Sequence, residues 1–161
     1  MPEKKKTGQQ KPFLLVAVDF SHCSRLALRT AKDLQDQRKG KIAVLHVIDH
    51  DFVEQCIHAR LGKEDKIKKK LFLGAKSRLR DFAREEGLEG NHVEKVVCEG
   101  TPCIEINKKA VEVDAEMIII GNQGKSGDMK NIFFGSTAER VLRFITRPVL
   151  CIPPEAHYRM R

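Results

Sequence analysis

Five short apolar runs alternate with longer, mixed stretches along the chain. The runs 13–18, 41–48 and 117–120 are continuous and apolar, and each is too short for a helix of its own. They predict strands buried on both faces of a sheet. The runs 92–98 and 148–152 complete a set of five strands, and the prolines around the last run favour a place at the sheet edge.

Between these strands, apolar residues recur at steps of three and four, which is typical of amphipathic helices. The pattern predicts one helix that ends at Gly40, a long one over 64–86 that Gly87 stops, one over 103–113, and one after Gly135. Thr101 and Pro102 suit the N-cap and first turn of the third of these.

The alternation of strands and helices predicts an α/β protein, a single-domain open five-stranded parallel sheet with helices on both faces. We expect one domain over 12–154, between a flexible basic tail, 1–11, and a short C-terminal tail, 155–161. Ligands of such sheets bind beyond the carboxyl ends of the strands, where strand order reverses. If the first and fourth strands are neighbours there, Asp19 faces the loop that begins at Gly121.

Composition narrows the function classes. No apolar run approaches the roughly 20 residues that span a bilayer, so we expect no membrane segment. The five cysteines are odd in number and lack a CxxC pair, which fits a reducing cytoplasm. The net charge of +8 is spread over the chain, and with no tryptophan and one tyrosine there is no stacking platform, so we do not expect nucleic acid as a partner.

The richest stretch for function is Gly121 to Thr137, a glycine-punctuated loop between a strand and a helix. Backbone N–H groups and the positive end of the helix dipole meet at such a junction, and glycine lets an anion approach the main chain. Lys125 adds positive charge, and the hydroxyls of Ser136 and Thr137 can donate to phosphate. Taken alone, the same residues also have a purely structural interpretation, in which the glycines form turns and Ser136 or Thr137 caps the helix.

The spacing excludes three common classes of α/β protein, two of which bind nucleotides. A Rossmann dehydrogenase carries its glycine motif after the first strand, where this chain has Asp19 and Phe20. A Walker motif needs glycine where this chain has Ile119. A response regulator needs an aspartate after the third strand, and the chain has Cys98 and Glu99 there.

Several separated segments share a more specific pattern: Val16 to Asp19, Leu45 to Asp49, Gly100 to Pro102, Asp114 to Gly124, and Gly135 and Ser136 leading into Arg147 to Leu150. Together they resemble the universal stress protein family over about 13–153. The resemblance implies the strand order 3-2-1-4-5 and a homodimer through the last strand, 148–152. It also implies a stress-response sensor or regulator that binds ATP or a related adenine nucleotide, with Mg²⁺ as a candidate companion of the phosphates.

By this resemblance, the adenine would meet Asp19 and Val47, with Ala17 nearby. The residues that would hold ribose and phosphates are Gly121, Gly124, Lys125, Gly135, Ser136 and Thr137. In ATP-binding members a GxxG pair is followed, after a fixed interval, by glycine and serine or threonine. Here that interval is 125–134, ten residues, one more than the pattern has. The alternative is therefore a nucleotide-free structural or interaction protein of the same fold.

Catalytic and metal sites have weaker support. Glu85 and Glu86 have no partner acid or nucleophile, so we name no catalytic residue and expect at most slow ATP hydrolysis. The polar residues of 46–58 follow no established ligand spacing, so we expect no metal site there. We leave the conformation of 49–63 open, although Phe52, Cys56 and Ile57 could lie on one face of a short helix.

Overall fold

Five parallel strands form one sheet in the computed structural model, which describes residues 13–124 and 135–154. The strands are β1 (Phe13–Ala17), β2 (Lys41–Asp49), β3 (Val93–Gly100), β4 (Met117–Gly121) and β5 (Val149–Ile152). Their order across the sheet is β3-β2-β1-β4-β5, with every pairing parallel. This confirms the α/β class and the order 3-2-1-4-5.

Five helices connect the strands within the described residues. They are α1 (His22–Arg38), α2 (His50–His58), α3 (Glu64–Glu85), α4 (Pro102–Glu112) and α5 (Ser136–Arg143). The helix α2 occupies the segment whose conformation the sequence left open. Asp49 caps it by accepting a hydrogen bond at Oδ1 from the Asp51 N–H, and Val53 is buried beneath it.

Alternate residues of the strands pack on opposite faces of the sheet, as strand geometry requires. On one face, Val16 and Ile119 pack with residues of α1 and α3, such as Leu28 and Phe82. On the other face, the buried side chains of Leu15, Leu45 and Ile118 pack with α4 and α5. Helices therefore cover both faces, which explains why β1, β2 and β4 read as continuous apolar runs.

Of two predicted N-caps, the one of α4 is confirmed and the one of α5 is wrong. Thr101 is the N-cap of α4 with Pro102 in the first turn, as predicted, although its side chain makes no capping hydrogen bond. The prediction that Ser136 or Thr137 caps α5 is wrong, because Gly135 is the N-cap and α5 begins at Ser136. A close contact between the Gly135 backbone and the end of β4 sets this boundary, and it is invisible in the local sequence.

The strand β5 lies at the edge of the sheet, as predicted. The carbonyl oxygens of Pro148 and Ile152 accept hydrogen bonds from Ile118 and Asn122, on the β4 side. Because the direction of backbone groups alternates along a strand, Val149 and Cys151 direct their N–H and C=O groups away from β4. Among residues 13–124 and 135–154, no strand pairs with this edge. Within the part of the chain that the structure describes, no helix has the length and apolar character to cross a bilayer.

Candidate functional site

The sheet reverses its order between β1 and β4, and the glycine loop and the end of β1 meet there. Ala17 of β1 stands beside Ile120 of β4 in the register, so Asp19 and Gly121 follow strands that are neighbours. A Cβ atom placed on Gly124 would lie 2.8 Å from Oδ2 of Asp19. The expectation that Asp19 faces the glycine loop is therefore confirmed.

The position of Asp19 is set by the turn into α1. Its Oδ1 accepts a hydrogen bond of 2.9 Å from the Ser21 N–H, and Ser21 in turn caps α1 by accepting at Oγ from the Ser24 N–H at 3.2 Å. Phe20, which lies between Asp19 and Ser21, has a left-handed backbone with φ of 65°. Such a backbone is uncommon for a residue with a bulky side chain. The turn holds the carboxylate at the mouth of the crevice.

The two ends of the glycine loop are fastened to each other. The Gly135 N–H donates to the carbonyl oxygen of Asn122 at 2.6 Å, and the Asn122 N–H donates to that of Ile152 at 2.9 Å. A Cβ on Gly135 would lie 3.3 Å from both the Asn122 oxygen and the Gly124 nitrogen. The residues between Gly124 and Gly135, including the predicted site residue Lys125, lie outside the described residues.

Gly121 has a packing role that the sequence did not reveal. A Cβ on this residue would lie 2.7 Å from Cβ and 2.8 Å from the carbonyl carbon of Cys23, near the start of α1. Real Cβ atoms do not approach so closely, so glycine is what lets α1 rest against the end of β4. Cys23 is therefore a site residue that sequence reasoning missed, since the only signal for it is a contact distant in sequence.

The thiol of Cys23 is held in its neutral form. Burial raises its pKa above the ordinary value of 9.0, a backbone hydrogen bond from Gln123 opposes this, and the charge of Asp19 raises the pKa further. The Sγ atom lies 3.9 Å from Oδ1 of Asn122, in hydrogen-bond contact. A neutral thiol is a poor nucleophile, so this cysteine belongs to the framework of the site.

The predicted adenine contacts lie on one face of the sheet. Ala17 and Val47 both belong to the α4 and α5 side, where Ala17 is buried and Val47 is half-buried. On the opposite face, sequence reasoning assigned His46 only to the sheet. Its Nδ1 lies 2.8 Å from the Val18 carbonyl oxygen, and its ring centroid is 4.4 Å from that of Phe20. His46 thus contacts the residues that directly follow β1.

The N-terminus of α5 borders the loop from the other side. Ser136 is exposed and Thr137 is half-buried in the first turn of α5. The first N–H groups of a helix have no partner inside it, and they carry the positive end of the helix dipole. Because Gly135 contacts both Asn122 and Gly124, this helix end lies next to the loop, which suits an anion.

Two histidines of 46–58 lie close to glutamates. His50 lies 3.2 Å from Glu99 of β3 and 3.9 Å from Glu54, and His58 lies 3.9 Å from Glu54. Among the described residues, no three side chains of histidine, cysteine, aspartate or glutamate gather at a point where they could hold a metal ion. The two histidines and their glutamate neighbours lie at or near the surface.

Comparisons with known proteins agree with this architecture. The sequence pattern of the universal stress protein family matches residues 14–153. A universal stress protein of Methanocaldococcus jannaschii is 29% identical in an alignment of 151 positions that covers 86% of this chain and 93% of that protein. The solved structure of that protein superposes with a TM-score of 0.76 at 28% identity, covering 91% of this chain and 98% of the other.

A second solved structure is the universal stress protein of Archaeoglobus fulgidus in complex with dAMP. It is 29% identical to this chain and superposes with a TM-score of 0.57. The superposition covers 89% of this chain and 98% of the other. Together, the family match over most of the chain, the shared strand order and these relatives lead to one conclusion. The chain belongs to the universal stress protein family.

Proposed function

We propose that this protein binds ATP or a related adenine nucleotide in the crevice between β1 and β4. The observation that carries the proposal is the meeting of Gly124 and Gly135 opposite the Asp19 carboxylate, at the point where the sheet order reverses. The Archaeoglobus fulgidus relative binds dAMP, an adenine nucleotide, which supports the same ligand class here.

The roles proposed for the residues follow from where they lie. Asp19 and Val47, with Ala17 nearby, contact the adenine end of the ligand. The glycine backbone of Gly121 and Gly124 and the first turn of α5 hold ribose and phosphates, with Lys125 adding charge. The ends of the glycine loop support this assignment. The interval 125–134 is one residue longer than the family pattern, but the residues on either side of it are in contact, because the Gly135 N–H donates to the Asn122 oxygen.

A thermal melt with ATP and Mg²⁺ tests nucleotide binding. At about 100 times its dissociation constant a ligand raises stability by about 2.7 kcal/mol. For a chain of this size that corresponds to a rise of roughly 5–11 °C in Tm. An unchanged Tm, together with no heat of binding in calorimetry, would support the alternative of a nucleotide-free interaction protein with the same fold.

Substitution locates the ligand. Gly124→Val should abolish the shift in Tm, because the added side chain projects toward Asp19 across the crevice. The matched control is Gly74→Val in α3, where no atom lies within 4 Å of the added Cβ. Gly135→Val is a weaker test, since its Cβ would press on backbone atoms and could act through stability. Equal ATP affinity of Gly124→Val and the control Gly74→Val would contradict the assignment.

We further propose a cytoplasmic sensor or regulator that works as a homodimer through β5. The half-buried edge strand offers outward N–H and C=O groups at Val149 and Cys151 for pairing with a second copy. We assign no catalytic base, so turnover of bound ATP would be slow and would depend on Mg²⁺ at the phosphates. Nucleotide binding would then act as a signal through stabilisation of the loop.

A further inference from the structure

Phe20 connects the turn that holds Asp19 to helix α3. The residue follows Asp19 directly, and its ring packs on the face of the sheet opposite to Ala17 and Val47. Its backbone has φ of 65°, a conformation that bulky side chains rarely adopt. Such a backbone persists only where the surrounding structure holds it. The contacts of the Phe20 side chain therefore stabilise the turn in this form.

The Phe20 ring is contacted by side chains of β2 and α3. Its centroid lies 4.4 Å from that of His46 in β2 and 5.4 Å from that of Phe82, which it meets edge to face. The guanidinium carbon of Arg78, an exposed residue of α3, lies 4.3 Å from the same centroid. Aromatic pairs and a guanidinium over a ring are both attractive beyond the area that they bury. Two elements thus hold the ring in one place.

The end of β1 is fixed by the same segment of β2. The Val18 N–H donates to the carbonyl oxygen of Leu45 at 2.9 Å, and Nδ1 of His46 lies 2.8 Å from the Val18 carbonyl oxygen. On the other side of the turn, the N-cap hydrogen bond fixes the start of α1. The backbone freedom that is left in the turn therefore lies at Asp19 and Phe20.

The turn gives the two carboxylate oxygens of Asp19 different surroundings. Oδ1 accepts from the Ser21 N–H at 2.9 Å, whereas Oδ2 is the atom that a Cβ on Gly124 would approach to 2.8 Å. An ionised carboxylate only accepts hydrogen bonds. An oxygen fixed at the crevice would therefore favour adenine, whose exocyclic amino group donates, over hypoxanthine, which has a carbonyl oxygen in that place.

We propose that Arg78 is a positioning residue for the Asp19 carboxylate. It acts through the Phe20 ring, from the face of the sheet opposite to the predicted adenine contacts. The contact holds the left-handed turn in which one carboxylate oxygen binds the Ser21 N–H and the other faces the crevice. The consequence for adenine selection rests on the proposed function, whereas the effect on the turn is measured without any nucleotide.

Affinities for ATP and ITP, in which hypoxanthine replaces adenine, test the selection of the base. Both nucleotides carry the same ribose and triphosphate, so a general loss of positive charge weakens both equally and leaves their ratio unchanged. Arg78→Ala should lower the preference for ATP by about two- to fivefold, the effect of one exposed cation–π contact. The control Lys70→Ala removes the same charge from an exposed site of α3 and should leave the ratio unchanged. Equal weakening of ATP and ITP by Arg78→Ala would overturn the proposal.

A double-mutant cycle with Phe20→Leu shows whether Arg78 acts through the ring. Leucine keeps an apolar side chain and a comparable backbone restriction, but it offers no ring to the guanidinium. In the Phe20→Leu background, Arg78→Ala should therefore have no further effect on the ratio of ATP to ITP affinity. An equal effect in both backgrounds would show that Arg78 acts by another route and would overturn the proposal.

Hydrogen exchange of the Ser21 amide tests the turn in the absence of nucleotide. This N–H is bonded to Oδ1 of Asp19, so its exchange requires the turn to open. Arg78→Ala should speed the exchange by about two- to fivefold, and Lys70→Ala should not. If the unmodified protein binds neither ATP nor ITP, the proposed function fails and this exchange rate alone decides the role of Arg78. An unchanged rate in Arg78→Ala would overturn the proposal.

Discussion

The glycines of the loop differ in what surrounds them. At Gly121 the space for a side chain is filled by the Cβ and backbone of Cys23, and at Gly135 by backbone atoms of Asn122 and Gly124. At Gly124 the nearest atom is Oδ2 of Asp19, which belongs to a side chain and not to the backbone. Among these three glycines, Gly124 is therefore the one where a larger side chain would block a ligand without pressing on backbone atoms.

Gly121→Ala should destabilise the fold by about 1–3 kcal/mol, the usual effect of forcing atoms into a packed site. The cause is the distance of 2.7 Å from the new Cβ to that of Cys23, because the backbone of α1 would have to move. Urea unfolding followed by circular dichroism measures the change. The control Gly74→Ala should be stabilising by about 0.5–1 kcal/mol. An unchanged midpoint for Gly121→Ala would contradict the packing role.

At the scale of elements, a carboxylate joins α1 to the end of α3. Glu86 lies 2.7 Å from Arg25 and 2.6 Å from Arg29, and its side chain is only 7% exposed. Burial alone would raise the pKa of Glu86, but the hydrogen bonds from Arg29 and Arg25 outweigh it and hold the pKa below the ordinary 4.5. The pair therefore stabilises the fold only while Glu86 is ionised.

The sign of the pH dependence follows. Because the pKa of Glu86 is lower in the folded state, the unfolded chain binds the proton first, and stability falls as the pH drops below about 4.5 toward the folded pKa. Glu86→Gln should cost about 1–2 kcal/mol at pH 7, between the values for charged hydrogen bonds and exposed ion pairs. It should also flatten the decline of stability below pH 4.5.

Urea unfolding between pH 3 and pH 7 measures both effects, at pH values chosen to bracket the ordinary pKa of 4.5. The control is Glu89→Gln, which removes the same charge at an exposed position without an ion pair among the described residues. A pH profile of Glu86→Gln that runs parallel to the unmodified protein would show that Glu86 does not link α1 to α3 through its charge.

For the whole molecule, the open edge at β5 decides the proposed assembly. Cys151→Pro removes an outward N–H group while leaving the hydrogen bonds of Pro148 and Ile152 to the β4 side. Proline is tolerated at such an edge position, so the fold should persist. We expect Cys151→Pro to be monomeric in sedimentation velocity and Cys151→Val, which keeps the N–H, to be dimeric. Equal assembly states would contradict pairing through β5.

The sequence alone determined the strands, their parallel class and the placement of Asp19 opposite the glycine loop. Strands covered on both faces must be apolar throughout, so 13–18, 41–48 and 117–120 stand out from any helix. The opposition of Asp19 and the glycine loop followed from the rule for ligands of open sheets. These features depend on residues close in the chain or on the general geometry of α/β proteins.

Only the tertiary structure decided the features that depend on distant neighbours. Gly121 is required by Cys23, the cap of α5 is Gly135 because of its bond to Asn122, and Arg78 gains its orientation from Phe20. No local pattern encodes these pairs, since each joins segments that meet only after the sheet has formed. Local propensity and periodicity act over a few residues, whereas close packing acts between whatever surfaces the fold brings together.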